Sequence, residues 1–118
     1  MKVIIAGSRS IEEDWILVDH CVHLSGYEIT EVVSGGARGI DTSGEQFAII
    51  RGIPFKRFPA DWNSKGKSAG ILRNIEMANY ADALIAIWDG KSKGTLHMIN
   101  DMVSKQKPVY VNCPPCEP

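Results

Sequence analysis

Residues 31–41 read EVVSGGARGID: a short apolar run, then Ser34, two glycines, Ala37, Arg38, a third glycine, and an aspartate two places on. A chain that sheds its side chains directly after a strand makes room for something at that edge. Read as the turn of a strand-to-helix unit, this loop decides the fold, because the same rhythm returns on either side of it.

Working outward, short apolar runs recur at 2–6 (KVIIA), 54–58 (PFKRF), 83–88 (ALIAIW) and 108–112 (PVYVN). Between them lie helix-length segments at 11–25, 41–52, 69–80 and 94–106. In the first, Ile11, Trp15, Val18 and Val22 share one helical face. The second ends in the helix stop RGIP. Strands alternating with helices require parallel crossovers and a sheet covered on both faces. The expectation is an α/β fold: a three-layer Rossmann-like sandwich whose five-stranded parallel sheet has the order 3-2-1-4-5. In that order the winding reverses between strands 1 and 4, and ligands of open α/β sheets sit outside the carboxyl ends of the strands at such a point. The loops AGSRS, SGGARGID and WDGKSKGT meet there, with the polar loop 59–70 on the same edge.

Composition narrows the class. The chain has 118 residues, 44% of them apolar and 23% charged, which fits one soluble domain over 1–118, with about 113–118 a tail. No apolar stretch is long enough to cross a bilayer and MKVIIAGSR is no export signal, so a cytoplasmic protein without a membrane partner is expected. Cys21, Cys113 and Cys116 are an odd count, read as reduced thiols. A net charge of −1 argues against duplex nucleic acid as a partner and makes any phosphate binding local.

The loops carry the chemistry. Without a Cβ, Gly35, Gly36 and Gly39 let backbone amides approach an anion, and the helix starting near Asp41 adds its positive end; the alternative is a tight turn with Asp41 as a helix-start residue. Gly90 and Gly94 frame Lys91, Ser92 and Lys93, and Thr95 can open the next helix, which gives a second anion site or a set of solvated lysines. Neither loop matches the Walker pattern, and no dinucleotide fingerprint follows strand 1, so ATPase and nicotinamide chemistry lose support. Arg73 and Glu76 share a helical face; an arginine near a helix start needs an anion or a carboxylate nearby. Trp62 could stack on a base, whereas Trp88 fits the core better. His20 and His23 read as exposed helix histidines, and the lone CxxC of the tail supplies too few ligands for zinc. Neither a metal nor a cofactor is expected.

The succession VVSGGARGID, then AGILRNIEMANYADALIAIWDGKSKGT, resembles the SLOG superfamily of Rossmann-like nucleotide-binding proteins, in particular its small YspA-like branch, over nearly the whole chain. More distantly it is similar to the Lonely Guy phosphoribohydrolases, whose arginine-bearing helix and PGGxGTxxE loop correspond to Arg73 and to Asp89–Met98. The first glycine loop also looks like that of the DNA-processing A proteins, which bind single-stranded DNA. One departure matters: Gly94 and Thr95 are kept, but Met98 stands where the hydrolases carry their catalytic glutamate. Methionine exchanges no proton. Asp41, Glu45, Asp89 and His97 are the substitutes at hand, with Asp89 the candidate catalytic residue.

The resemblance implies a nucleotide or nucleotide-derived ligand, phosphoribosyl or ADP-ribose-like, held by a sensor or sequestering protein. Amides around Gly35, Gly36, Gly90 and Gly94 would hold phosphate, with Ser8, Arg9, Arg73 and Thr95 as further donors; Gly7, Arg38, Gly39, Asp41, Trp62, Asn74, Asp89 and Ser92 complete the expected site. A phosphoribohydrolase is the alternative, and a single-stranded DNA module the third. Likeness to the hydrolases suggests a homodimer or higher oligomer.

Overall fold

Successive strand residues face opposite sides, so a strand covered on both sides is apolar throughout. The computed structural model describes residues 1–60 and 62–113, and at Trp62, Lys65 and Lys67 the backbone alone. In chain order it comprises β1 (Lys2–Gly7), α1 (Trp15–Ser25), β2 (Glu31–Ser34), α2 (Ile40–Arg51), β3 (Phe55–Arg57), α3 (Trp62–Lys65), α4 (Ala69–Tyr80), β4 (Ala83–Ile87), α5 (Lys93–Ser104) and β5 (Val109–Asn112). The strands form one parallel sheet in the order β3-β2-β1-β4-β5, as expected.

β1 and β4 are paired from Val3↔Ala83 to Gly7↔Ile87. Their alternation sorts the core into two layers. Val3, Ile5, Ile85 and Ile87 pack with Val18, Ile40 and Phe47 from α1 and α2. Ile4, Leu84 and Ala86 pack with Met77, Met98 and Met102 from α4 and α5. Each of the fully buried isoleucines contributes about 1.5–3 kcal/mol. The helices change side where the winding reverses, as crossovers of one hand require.

Three expectations need correction. The helix expected from Ile11 starts at Trp15, because Asp14 caps it, its Oδ1 accepting the Leu17 N–H at 3.0 Å. Ile11 instead closes a turn onto the Ser8 carbonyl and packs against the core from the loop. β4 ends at Ile87, so Trp88 lies just beyond it, half-buried, its Nε1–H donated to the Ser92 carbonyl at 3.0 Å. Of the cysteines expected to be reduced, Cys21 is a buried free thiol but Cys113 is disulfide-bonded; Cys116 lies outside the described residues. Among the described residues no helix is long and apolar enough to cross a membrane.

Candidate ligand-binding site

At the carboxyl edge of the sheet, beyond the ends of β1 and β4, the loops after β1, β2 and β4 and the first turns of α4 line a cavity of about 470 Å³, within the range of small-molecule sites. Of the residues expected there, Gly7, Arg9, Gly35, Asp41, Arg73, Asn74, Asp89, Ser92, Gly94 and Thr95 line it. Ser8, Gly36, Arg38, Gly39 and Gly90 do not. The Trp62 side chain lies outside the described residues. Lys91, Lys93 and Glu76 are exposed and are not among the lining residues either.

The first glycine loop is shaped from within the protein. A Cβ on Gly35 would lie 2.7 Å from Arg73 Nη1 and 2.8 Å from Asp41 Oδ2. Gly36 has a left-handed backbone, φ 73°, and a Cβ there would meet the Arg57 side chain at 2.8 Å. The space the glycines vacate is therefore filled by arginines. Two of the loop amides are also spent internally: Gly36 N–H on Ser34 Oγ at 3.0 Å and Ala37 N–H on Asp41 Oδ2 at 3.2 Å. Gly39 is buried at the N-cap of α2, and Arg38 is exposed.

Arg73 is half-buried and reaches across from α4. Its Nη1–H is donated to the Gly35 carbonyl at 2.6 Å and its Nε–H to Asn74 Oδ1 at 3.0 Å; Asn74 Nδ2 in turn reaches the Gly94 carbonyl at 3.3 Å. One chain of hydrogen bonds thus joins the first glycine loop to the start of α5. Burial lowers the pKa of the guanidinium, the charge of Asp41 opposes that, and the charge of Arg9 adds to it.

The second loop is organised by Asp89. Its Oδ1 accepts the N–H groups of Lys91 and Ser92, both at 2.8 Å, and its Oδ2 accepts the Ser10 hydroxyl at 2.7 Å. The Ser10 hydroxyl first, then these amides, hold its pKa well below the usual carboxylate range. Buried Ser8 accepts the Asp89 N–H at 3.0 Å and so ties the β1 and β4 loops together. Exposed Gly90 takes the left-handed turn that follows, φ 80°. Ser92 caps α5, while the Lys93 and Gly94 amides at its start have no acceptor among the described residues. A Cβ on Gly94 would meet nothing within 4 Å.

The remaining carboxylate and histidine candidates stand away from the cavity. Glu45 accepts Arg57 Nε–H at 2.9 Å and the Ser34 hydroxyl at 2.7 Å; burial pushes its pKa up, but Arg57 and Ser34 outweigh burial and the net direction is down. His97 is half-buried on α5 with no hydrogen-bond partner for Nδ1 among the described residues. His20 and His23 are exposed on α1.

The chain matches the model of the YspA, cpYpsA-related SLOG family over residues 1–64. It belongs to that family. It is also 38% identical over 117 residues to the Gene 61 protein of Mycobacterium phage D29, a similarity that covers 92% of this chain and 93% of that protein. No solved structure gives a significant match. The residues of the SLOG match take in the first glycine loop but not Arg73 or the Asp89 loop, which the fold brings to the same cavity. Sequence reasoning also missed part of this SLOG cavity: Ser10, Gly70 and Ile71 line it, as do the apolar side chains of Met77 and Met98. Ser10 was legible only as one of two serines in AGSRS. Met77 carries no signal apart from helical spacing, which core residues share, and Met98 was legible only as the residue in place of the hydrolase glutamate.

Proposed function

We propose that the chain binds a nucleotide or nucleotide-derived ligand, phosphoribosyl or ADP-ribose-like, in this cavity and acts as a sensor or sequestering protein. The observation that carries the reading is the meeting in one cavity of a half-buried arginine with a helix N-terminus whose Gly94 amide has no acceptor among the described residues. A phosphate suits the start of α5: the Gly94 amide has no acceptor among the described residues, Thr95 adds a hydroxyl, and Gly94 leaves room for close approach. Arg73 supplies a positive charge, and the apolar side chains of Ile71, Met77 and Met98 in the lining suit an apolar ring face. Nucleotide-related function is consistent with SLOG membership.

A hydrolase has weaker support. N-glycosidic cleavage needs a group that stabilises positive charge and takes a proton. Met98 offers neither, and Asp89, with both oxygens engaged and its pKa depressed, is a poor proton acceptor.

Native mass spectrometry of the purified protein, followed by incubation with nucleoside mono- and diphosphates, cyclic nucleotides and ADP-ribose, tests both. A bound ligand recovered intact is the expected result. Release of free base from any of them would establish the hydrolase instead, and binding of none at millimolar concentration would refute the proposal.

A further inference from the structure

The nucleotide reading leaves one ionisable group in the cavity without a task. Asp41 is only 6% exposed, yet it lines the cavity. Among the described residues its Oδ2 accepts one hydrogen bond, from the Ala37 N–H, and its Oδ1 accepts none. A buried carboxylate so thinly supplied with donors is costly to keep charged. Burial pushes its pKa up to about 6, against the pull of the Ala37 N–H and of the charge of Arg73.

The charges that face Asp41 come from three elements. Arg73 reaches it from α4 and Arg9 from the loop after β1, while Glu45 follows one turn later on its own helix. Glu45 is already paired with Arg57 of β3. Arg73 is the partner that shares a corner with it: Nη1 of the arginine and Oδ2 of the aspartate crowd the same vacant position over Gly35. Yet no direct hydrogen bond joins the two side chains among the described residues, so Asp41 acts on Arg73 through charge alone.

We infer that Asp41 is a proton-exchanging positioning residue: as a carboxylate it neutralises Arg73 and holds it at the Gly35 corner, and it takes up a proton when an anion enters the cavity. The proton comes from solvent and settles on Oδ1, so the bond from Ala37 N–H to Oδ2 survives. Arg73 then offers its whole charge to the ligand. The pairing rests on the corner the two side chains share over Gly35 and on the charge between them; the uptake step rests on the nucleotide reading. By reciprocity of linkage, anion affinity rises as pH falls toward the pKa of Asp41.

The test is NMR of the full chain, following the Asp41 carboxyl carbon and the Arg73 Nε–H through a pH titration. In the free protein both signals are expected to move together with a midpoint of about 6. ADP-ribose is the probe, because it has no phosphate monoester and hence no phosphate proton titrating in that range; at saturation it should raise the midpoint. Asp41→Asn, a permanent mimic of the protonated form, should bind ADP-ribose at about pH 8 at least about fivefold tighter than the natural chain and without its pH dependence. An Arg73 signal that stays still while Asp41 titrates, or an Asp41 midpoint near the ordinary value of about 4, would overturn the inference. If ADP-ribose moves no cavity signal, the uptake step falls with the nucleotide reading, while co-titration in the free protein would still support the pair.

Discussion

Arg73 donates its Nη1–H to the carbonyl of Gly35 at 2.6 Å across 38 positions of sequence. This bond closes the cavity between α4 and the first glycine loop. It also places a half-buried guanidinium beside the Asp41 carboxylate, so the cavity carries positive charge that is partly balanced from within.

Arg73→Ala should lower affinity for the ligand found by mass spectrometry by tenfold or more, since a hydrogen bond to a charged group is worth about 1.5–3 kcal/mol. Arg73→Lys should not restore it, because an ammonium cannot reproduce the planar fork that reaches Gly35 and Asn74 at once. Isothermal titration calorimetry, with circular dichroism as the check on folding, decides this; unchanged affinity in a folded Arg73→Ala protein would count against the site.

Two glycine substitutions should part stability from binding. Gly35→Ala puts a methyl into space held by Arg73 and Asp41, so a loss of about 1–3 kcal/mol in urea denaturation is expected. Gly94→Ala meets open space on a helix and should hold or raise stability by up to about 1 kcal/mol while weakening ligand binding. The opposite ranking in stability would show that the first loop, not α5, keeps room for the ligand.

The raised pKa of Asp41 predicts a pH dependence of stability with a definite sign. Its folded value, about 6, lies above the unfolded value of about 3.9, so the folded state holds the extra proton. The associated stability is fully present below about pH 4 and is lost as pH rises through about 6, an effect on the order of 2–3 kcal/mol. Denaturant melts of the natural chain and Asp41→Asn across that window should diverge as pH rises, with the variant the more stable at the alkaline end. Parallel curves would remove the case for a buried, protonated Asp41.

Asp89 should behave in the opposite way. Its depressed pKa contributes stability above the unfolded value of about 3.9 and loses it as pH falls further. Asp89→Ala frees the amides of Lys91 and Ser92 and the hydroxyl of Ser10, so its melting temperature at neutral pH should fall, by an amount that shrinks in acid. A variant with an unaltered melting temperature would mean that the carboxylate does not organise the loop.

The sequence by itself determined the layer structure. Apolar residues at every position of 83–87 can be satisfied only by a strand covered on both faces, and helix-length spacers between such strands leave parallel crossovers as the economical way to connect them. Those two facts limit the sheet to doubly wound orders, of which 3-2-1-4-5 was the one expected, and the pairing of β1 with both β2 and β4 fixes it and with it the edge where the loops meet. Element ends were less legible, because capping at Asp14 outweighed the helical periodicity that runs back to Ile11. What only the tertiary structure decided is the use of each loop residue. A glycine in sequence announces vacant space without saying what fills it: over Gly35 and Gly36 the occupants are Arg73 and Arg57, whereas over Gly94, which lines the same cavity as Gly35, the space stays open. The charge states were decided there too. Asp41 and Asp89 both follow glycine-rich or strand-end segments, yet one is buried with a single donor and the other is ringed by donors, which moves their pKa values in opposite directions. Those differences arise from burial and from partners distant in sequence, and no local pattern encodes either.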